Sequence, residues 1–249
     1  DLVCPAGSLR SLQAAVDAGA DAVYLGLKDA TNARNFPGLN FDDAQIRDGV
    51  AYAHARGAQV LMALNTYADA HDPSPWWRGV DRAVALGADA LIVADIAVLA
   101  YCRDHHPGLR LHLSVQASAT SHAAIAFYRE RYGIVRAVLP RVLTLAQVGE
   151  LIRHTDVDIE VFGFGSLCVM VEGRCALSSY ATGLSPNNAG ACSPPSAVRW
   201  SETANGTEAR LNGVLIDCHA PAEPRGYPTV CKGRFLVDGE RDYAIEEPT

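Results

Sequence analysis

The chain has 249 residues, 49% of them hydrophobic, enough to bury a full core as one α/β domain with an appendage or as two domains. Its 21 basic and 28 acidic side chains give a formal net charge of −7 with no basic block, so it lacks the electrostatic footprint a nucleic-acid backbone rewards, and RNA is a disfavoured partner. No apolar run approaches the roughly 20 residues that span a bilayer and no charged-then-apolar leader opens the chain, so a cytoplasmic location is expected. The seven cysteines, an odd count, suit reduced thiols or metal ligands better than a secreted disulfide framework.

In chain order, a first strand over residues 2–4 precedes a helical stretch over 8–18. The same junction then recurs: a helix, a glycine stop, a short polar step and an apolar strand. It appears at residues 19–25 (GADAVYL), 57–64 (GAQVLMAL), 87–93 (GADALIV) and 133–139 (GIVRAVL), with a long helix over 42–56 before the second of these. Glycine suits the left-handed position that ends a helix, and the β-rich run after it suits a buried parallel strand. Residues 111–115 and 159–162 complete seven candidate strands, each of the first six followed by a helix.

Such alternation means a parallel sheet with right-handed crossovers. A TIM-type (β/α) barrel is favoured over a doubly wound sheet, because no Gly-x-Gly-x-x-Gly turn follows the first strand and polar residues gather after many different strands. No eighth unit is visible, so the barrel reads as truncated before it: either the eighth strand lies beyond the sequence, or the sheet is completed irregularly. Residues 1–162 form the barrel units and residues 163–249 a cysteine-rich module after strand seven, in which residues 210–216 and 234–237 read as short strands.

Alternation along Leu111-His112-Leu113-Ser114-Val115-Gln116 puts the three polar residues on one face, pointing into a barrel with Gln116 nearest its mouth. Tyr24, Gly26, Lys28, Asn65, Asp95 and Arg141 follow other strands and share that rim, with Arg34 and Asn35 on the loop after strand two. Singly each reads equally well as a loop anchor or helix cap. Together, Lys28, Arg34, Asn65, Gln116 and Arg141 form a candidate substrate-binding set, because guanidinium groups pair carboxylates bidentately. No catalytic side chain is singled out.

Cys168, Cys175, Cys192 and Cys231 lie in sequence too polar and Gly/Pro-broken to be ordinary core. The intervals of six, sixteen and thirty-eight residues match no zinc-finger or ferredoxin spacing. Context points to a soft-metal site or iron-sulfur cluster instead. Gly163, Gly165 and Ser166 lead from a strand into Cys168, Gly173-Arg174-Cys175 follows, and residues 187–194 (NNAGACSP) form a tight-turning loop. Thiolate bonds would order a segment that otherwise cannot offset about 1 to 2 kcal/mol of backbone entropy per residue. Cys4 and Cys102 read as buried free thiols, and Cys218 as a weaker alternative ligand. No Gly-x-Ser-x-Gly elbow and no His-Glu-x-x-His helix signals a serine or zinc peptidase, although a Cys/His peptidase stays open because its partners meet only in space.

Long stretches of the chain resemble the collagenase-like peptidase family, and within it the branch that serves ubiquinone biosynthesis without oxygen. They are CPAG at 4–7, GADAVYLGLKDATNARNFPGLNF at 19–41, SVQASAT at 114–120, VLPRVL at 138–143, FGSLCVMVEGRCALSSYATGLSPNNAGACSP at 164–194 and YPTVCKGRFLVDGERDYAIEEPT at 227–249. The resemblance implies a barrel with a cysteine-bearing insertion after strand seven and a 4Fe-4S cluster on Cys168, Cys175, Cys192 and Cys231; Arg174 and Lys232, each next to one of these cysteines in sequence, read either as offsetting the cluster's charge or as solvated surface residues. It further implies a heterodimer with UbiV, a cluster-bearing relative, hydroxylating the ring of a ubiquinone precursor with prephenate as hydroxyl donor. Related family members hydroxylate transfer or ribosomal RNA by the same chemistry. The rival from another class is a cysteine-stabilised, zinc-bound scaffold whose task is to hold the partner.

Overall fold

A computed structural model describes residues 1–36, 38–165, 168, 175–223, 225, 228–233, 235–237 and 240–243. Seven strands, β1 (Val3–Pro5), β2 (Ala22–Gly26), β3 (Gln59–Leu64), β4 (Ala90–Val93), β5 (Arg110–Leu113), β6 (Arg136–Val138) and β7 (Asp158–Glu160), pair in parallel in chain order. Six helices return the chain between them: α1 (Leu9–Asp17), α2 (Asp43–His54), α3 (Ser74–Ala85), α4 (Ile96–His105), α5 (His122–Tyr132) and α6 (Leu145–His154). The expected (β/α) repeat is present as a curled sheet. Among the described residues no strand pairs β7 with β1, so the barrel is open on that side.

The helix starts have local causes. Ser8, Asp42 and Thr144 each accept from the backbone N–H three residues on, while Ser11, Gln45 and Gln147 reach back, three capping boxes opening α1, α2 and α6. The junction glycines Gly19, Gly57, Gly87 and Gly133 all have positive φ, as the repeated pattern requires.

The sheet separates two environments. Its outer face, with Val23, Leu25, Val60, Met62, Leu64, Leu91, Val93, Leu111 and Leu113, packs on Leu12, Ile46, Trp76, Val80, Leu99 and Ile125 of the helices. Each such fully buried aliphatic contributes about 1.5 to 3 kcal/mol. The inner face is small and apolar on the first four strands (Ala22, Leu61, Ala63, Ala90 and Ile92, with Val3 and Tyr24 against them). Register continues that face through His112 and Arg136 to Asp158, and through Val138 to Glu160, so the last three strands present charge and imidazole inward. Arg136 Nη2 donates to Asp1 at 2.6 Å and Asp158 at 3.4 Å, and Nη1 to Glu160 at 3.4 Å.

After β7 the architecture changes. Helices α7 (Ala176–Thr182) and α8 (Pro186–Ala189) precede a three-stranded antiparallel sheet of β8 (Val198–Thr203), β9 (Gly206–Leu211) and β10 (Val214–His219), followed by the hairpin β11 (Phe235–Val237) and β12 (Glu240–Tyr243). Residues 210–216, expected as one strand, instead straddle the β9–β10 turn. Asn212 and Gly213 have φ of 48° and 86° with Leu211 opposite Val214, a two-residue turn whose Asn-Gly pair supplies both left-handed positions. Strand five also stops early, at Leu113, because Ser114 turns the chain by accepting the N–H of Gln116 at 3.2 Å.

Candidate functional site

The mouth is built on the loop after β2. Asn32 Nδ2 donates to Asn40 Oδ1 at 2.9 Å and its Oδ1 accepts the N–H of Arg34 at 3.0 Å, while Asn40 Nδ2 donates to Arg34 O at 2.9 Å. A Cβ on Gly26 would lie 2.0 Å from Asn32 Nδ2, so only glycine lets that amide lie against the strand. Asn65 accepts the N–H of Ala33 at 2.9 Å, and Thr66 donates to Ala30 O at 2.6 Å while accepting from Trp76 Nε1 at 3.0 Å. Arg34 is thereby held at a defined height over the sheet.

The cysteine-bearing segment sits on this loop. Asn35 N–H donates to Gly190 O at 2.7 Å and Tyr67 N–H to Asn187 O at 2.7 Å. Gly190 has φ +79° and a Cβ there would lie 2.8 Å from Asn32 O. Gly190→Ala combines a left-handed penalty of about 1 to 2 kcal/mol with a backbone clash, so thermal unfolding of the variant is expected several degrees below wild type. An unchanged Tm would show that the segment is not seated here.

Cys192 feels the charge of two of the other three cysteines. Burial raises the Cys192 thiol above its ordinary range, the Arg34 guanidinium opposes this, and the Cys175 and Cys168 sulfurs push it further up. Cys175 caps α7, its Sγ accepting the N–H of Ser178 at 3.3 Å, and the buried Ser178 hydroxyl donates to Cys192 O at 2.5 Å. Cys231 lies in a 3-10 turn whose Val230 packs on Ala181, Leu211 and Ile216, against α7, and its thiol donates to Thr229 Oγ1 at 3.7 Å. No disulfide joins any two of the seven cysteines. Among the described residues no three His, Cys, Asp or Glu side chains converge closely enough to hold a metal ion. The donor chemistry nonetheless suits a soft metal: four part-buried thiols, a guanidinium beside one and a backbone N–H on another. Ser166, Gly173 and Arg174 lie outside the described residues, as does the side chain of Lys232.

Of the other expected residues, Tyr24, Arg34 and Arg141 come together. Burial raises the Tyr24 phenol above its ordinary value, Arg34 lowers it, Glu160 raises it, and Arg141 lowers it. Arg141 also lies over the Phe162 ring, 5.1 Å from its centroid. Gln116 is buried, its backbone carbonyl accepting from Tyr67 Oη at 2.9 Å. Lys28 is engaged elsewhere, donating to Gln45 Oε1 at 3.0 Å with Asp42 3.8 Å away at the start of α2. Asp95 caps α4 and accepts the N–H of Ala68, and Asn65 Oδ1 accepts the N–H of Ala33 on the loop after β2. Cys102 is core, its thiol pushed up to about 12 by burial, whereas Cys218 is exposed.

Tyr67, Ser178 and Asn187 were not expected. Ser178 carried a signal, since it stands three residues after Cys175, at the spacing of a helix cap and its first free N–H. Tyr67 and Asn187 carried none.

The sequence profile of peptidase family U32 matches residues 7–221. Among curated relatives, an uncharacterized protease of Methanocaldococcus jannaschii is 34% identical over 95% of this chain and 54% of its own length. The tRNA hydroxylation protein P of Escherichia coli is 34% identical over 80% of this chain and 43% of its own length. A 23S rRNA 5-hydroxycytidine synthase of Escherichia coli is 31% identical over 99% of this chain and 36% of its own. The chain thus spans about half the length of these relatives or less. Two of them are named for RNA hydroxylation, the reading that the acidic charge balance disfavours. A solved U32 peptidase shares the fold with a TM-score of 0.53 at 20% identity, covering 64% of this chain and 66% of that one. Among the described residues no helix is long and apolar enough to cross a membrane.

Proposed function

Because the chain belongs to peptidase family U32, we propose that it is a UbiU-type subunit of an oxygen-independent hydroxylase, acting with UbiV as a heterodimer on the ring of a ubiquinone precursor, with prephenate as hydroxyl donor. In this reading Cys168, Cys175, Cys192 and Cys231 hold a 4Fe-4S cluster. The observation that carries it is the seating of the Cys192 segment on the barrel mouth, which places Arg34 beside both Cys192 and Tyr24.

Bound there, the cluster supplies one-electron chemistry, which hydroxylation without dioxygen needs and zinc does not provide. The protein's own residues do the rest. The Ser178 N–H donates to the Cys175 sulfur, and the Ser178 hydroxyl fixes the Cys192 backbone relative to it. Arg34 and Arg141 supply positive charge for an anionic group on the substrate or donor. The Tyr24 phenol, whose ordinary value already lies well above neutral and is raised further by burial, is protonated at neutral pH and can donate a hydrogen bond there. The (β/α) scaffold favours such a site, since its chemistry collects at the C-terminal strand ends.

The names of the relatives favour a second reading, RNA hydroxylation by the same chemistry. The two separate in filter binding of transfer RNA across a salt series. An RNA enzyme gives saturable binding whose logarithm falls steeply with log salt, by about 0.7 to 0.9 per phosphate neutralised. The ring hydroxylase gives no saturable RNA binding, while the anaerobically assembled pair hydroxylates the precursor ring and neither subunit does so alone. Saturable RNA binding without ring turnover would exchange one reading for the other.

A further inference from the structure

Two buried amides at the mouth have polar atoms without partners among the described residues. Asn187 is 2% exposed, and neither its Nδ2 nor its Oδ1 makes a hydrogen bond there; Gln116 is 3% exposed and its Oε1 makes none. One tyrosine joins the two residues, because Tyr67 donates its backbone N–H to Asn187 O and its hydroxyl to Gln116 O. Buried polar atoms are ordinarily satisfied, and one left unmade is costly. Here three such atoms occur on two side chains at the two ends of one residue, where the cysteine segment meets the barrel mouth.

We propose that Asn187 and Gln116 are specificity-determining residues that bind a phenolic hydroxyl of the substrate. The inference rests on the reading of this mouth as the substrate site and adds the class of group it accepts. Whichever way the Asn187 amide is turned, it offers one acceptor and one donor, and Gln116 adds a second acceptor. A hydroxyl group both donates and accepts, so a single phenol answers a carbonyl oxygen and the Asn187 N–H together. A carboxylate or phosphate would leave the acceptors unanswered and belongs with Arg34 and Arg141. An aliphatic group would satisfy nothing. Asn187 thus distinguishes a ring bearing a free hydroxyl from the same ring with that hydroxyl blocked.

The test is calorimetric titration of the anaerobically purified full-length protein with 4-methylphenol and with 4-methylanisole, in which a methyl group replaces the donated proton. Wild type is expected to prefer the phenol by about tenfold, the usual scale of one buried hydrogen bond. Asn187→Leu and Gln116→Leu should each lose the preference. Since neither polar atom of the amide has a partner among the described residues, Asn187→Leu should also raise the Tm, a shift that a merely structural amide would reverse. Equal binding of both probes by wild type, a preference retained in Asn187→Leu, or a lowered Tm for that variant would each overturn the proposal. Should the leucine variant fail to accumulate, Asn187→Ala carries the same comparison of probes. Iron content measured on the same samples separates the two ideas. A phenol preference without iron sinks the hydroxylase reading alone, and iron without a preference sinks this one alone.

Discussion

Cys192→Ala is expected to strip the protein of its colour and its iron. Wild type purified without oxygen should carry about four irons and four sulfides per chain, with a broad absorbance near 400 nm. In the variant the absorbance should vanish and residual iron fall below one per chain. Cys192 is the informative position because its place is fixed from several sides. It is held by Ser178 through its carbonyl, by its segment's contacts with Asn35 and Tyr67, and beside Arg34 and two other thiols. Losing that thiolate should also loosen the segment around it, since structural metal sites contribute on the order of 10 kcal/mol to the folding of the parts they join. Protease nicking between Cys175 and Cys231 should therefore accelerate in the variant. Cys218→Ala should change neither iron nor nicking, because that thiol is exposed on β10. Stoichiometric zinc with no iron in wild type would end the redox mechanism and leave a zinc-stabilised scaffold that holds its partner.

The barrel was legible because its signals are local and repeated. A glycine at positive φ followed by an apolar run recurs at Gly19, Gly57, Gly87 and Gly133, and each such junction defines a helix end and a strand without reference to the rest of the chain. Beyond β7 the periods stop, and the remaining signals were read unevenly. Asn212-Gly213 is a strong hairpin mark, yet the apolar residues on both sides read as one strand. The rim was legible only as a collection. Strand ends place Tyr24, Lys28, Asn65, Gln116 and Arg141 near the mouth, but which of them turn inward depends on partners distant in sequence. Lys28 goes to Asp42 and Gln45, Asn65 anchors Ala33, and Arg34 reaches its place through the Asn32 and Asn40 amides. Asn187 and Tyr67 stayed invisible for the same reason. Their pairing joins the loop after β3 to a segment more than a hundred residues away, and no spacing rule describes such a contact.

The inner face of β5 predicts an acid lability that the outer face does not share. His112 is 1% exposed, neither ring nitrogen has a hydrogen-bond partner among the described residues, and its register neighbours are Ile92 and Arg136. Burial, then the guanidinium charges of Arg136 and Arg110, lower its pKa from 6.5 to about 4, with Asp158 opposing. Below pH 6.5 the unfolded chain takes up a proton at this residue and the native protein does not. The contribution of the neutral ring is therefore complete above about pH 6.5 and lost as pH falls toward about 4, a difference of about 3 kcal/mol. Glu160 acts in the opposite sense, since burial raises its carboxyl despite the opposing Arg136, and protonation at low pH relieves that cost. The two are separated by subtraction. Urea unfolding of wild type and His112→Leu at pH 7 and pH 4.5 should show wild type losing about 2 to 3 kcal/mol more than the variant across that interval, with Glu160 and any acid-sensitive cofactor common to both. Parallel losses would mean that the imidazole is protonated inside the fold, with the carboxylates of Asp158 and Glu160 holding it there, and the half-barrel interior would then carry a buried charge network in place of a neutral ring.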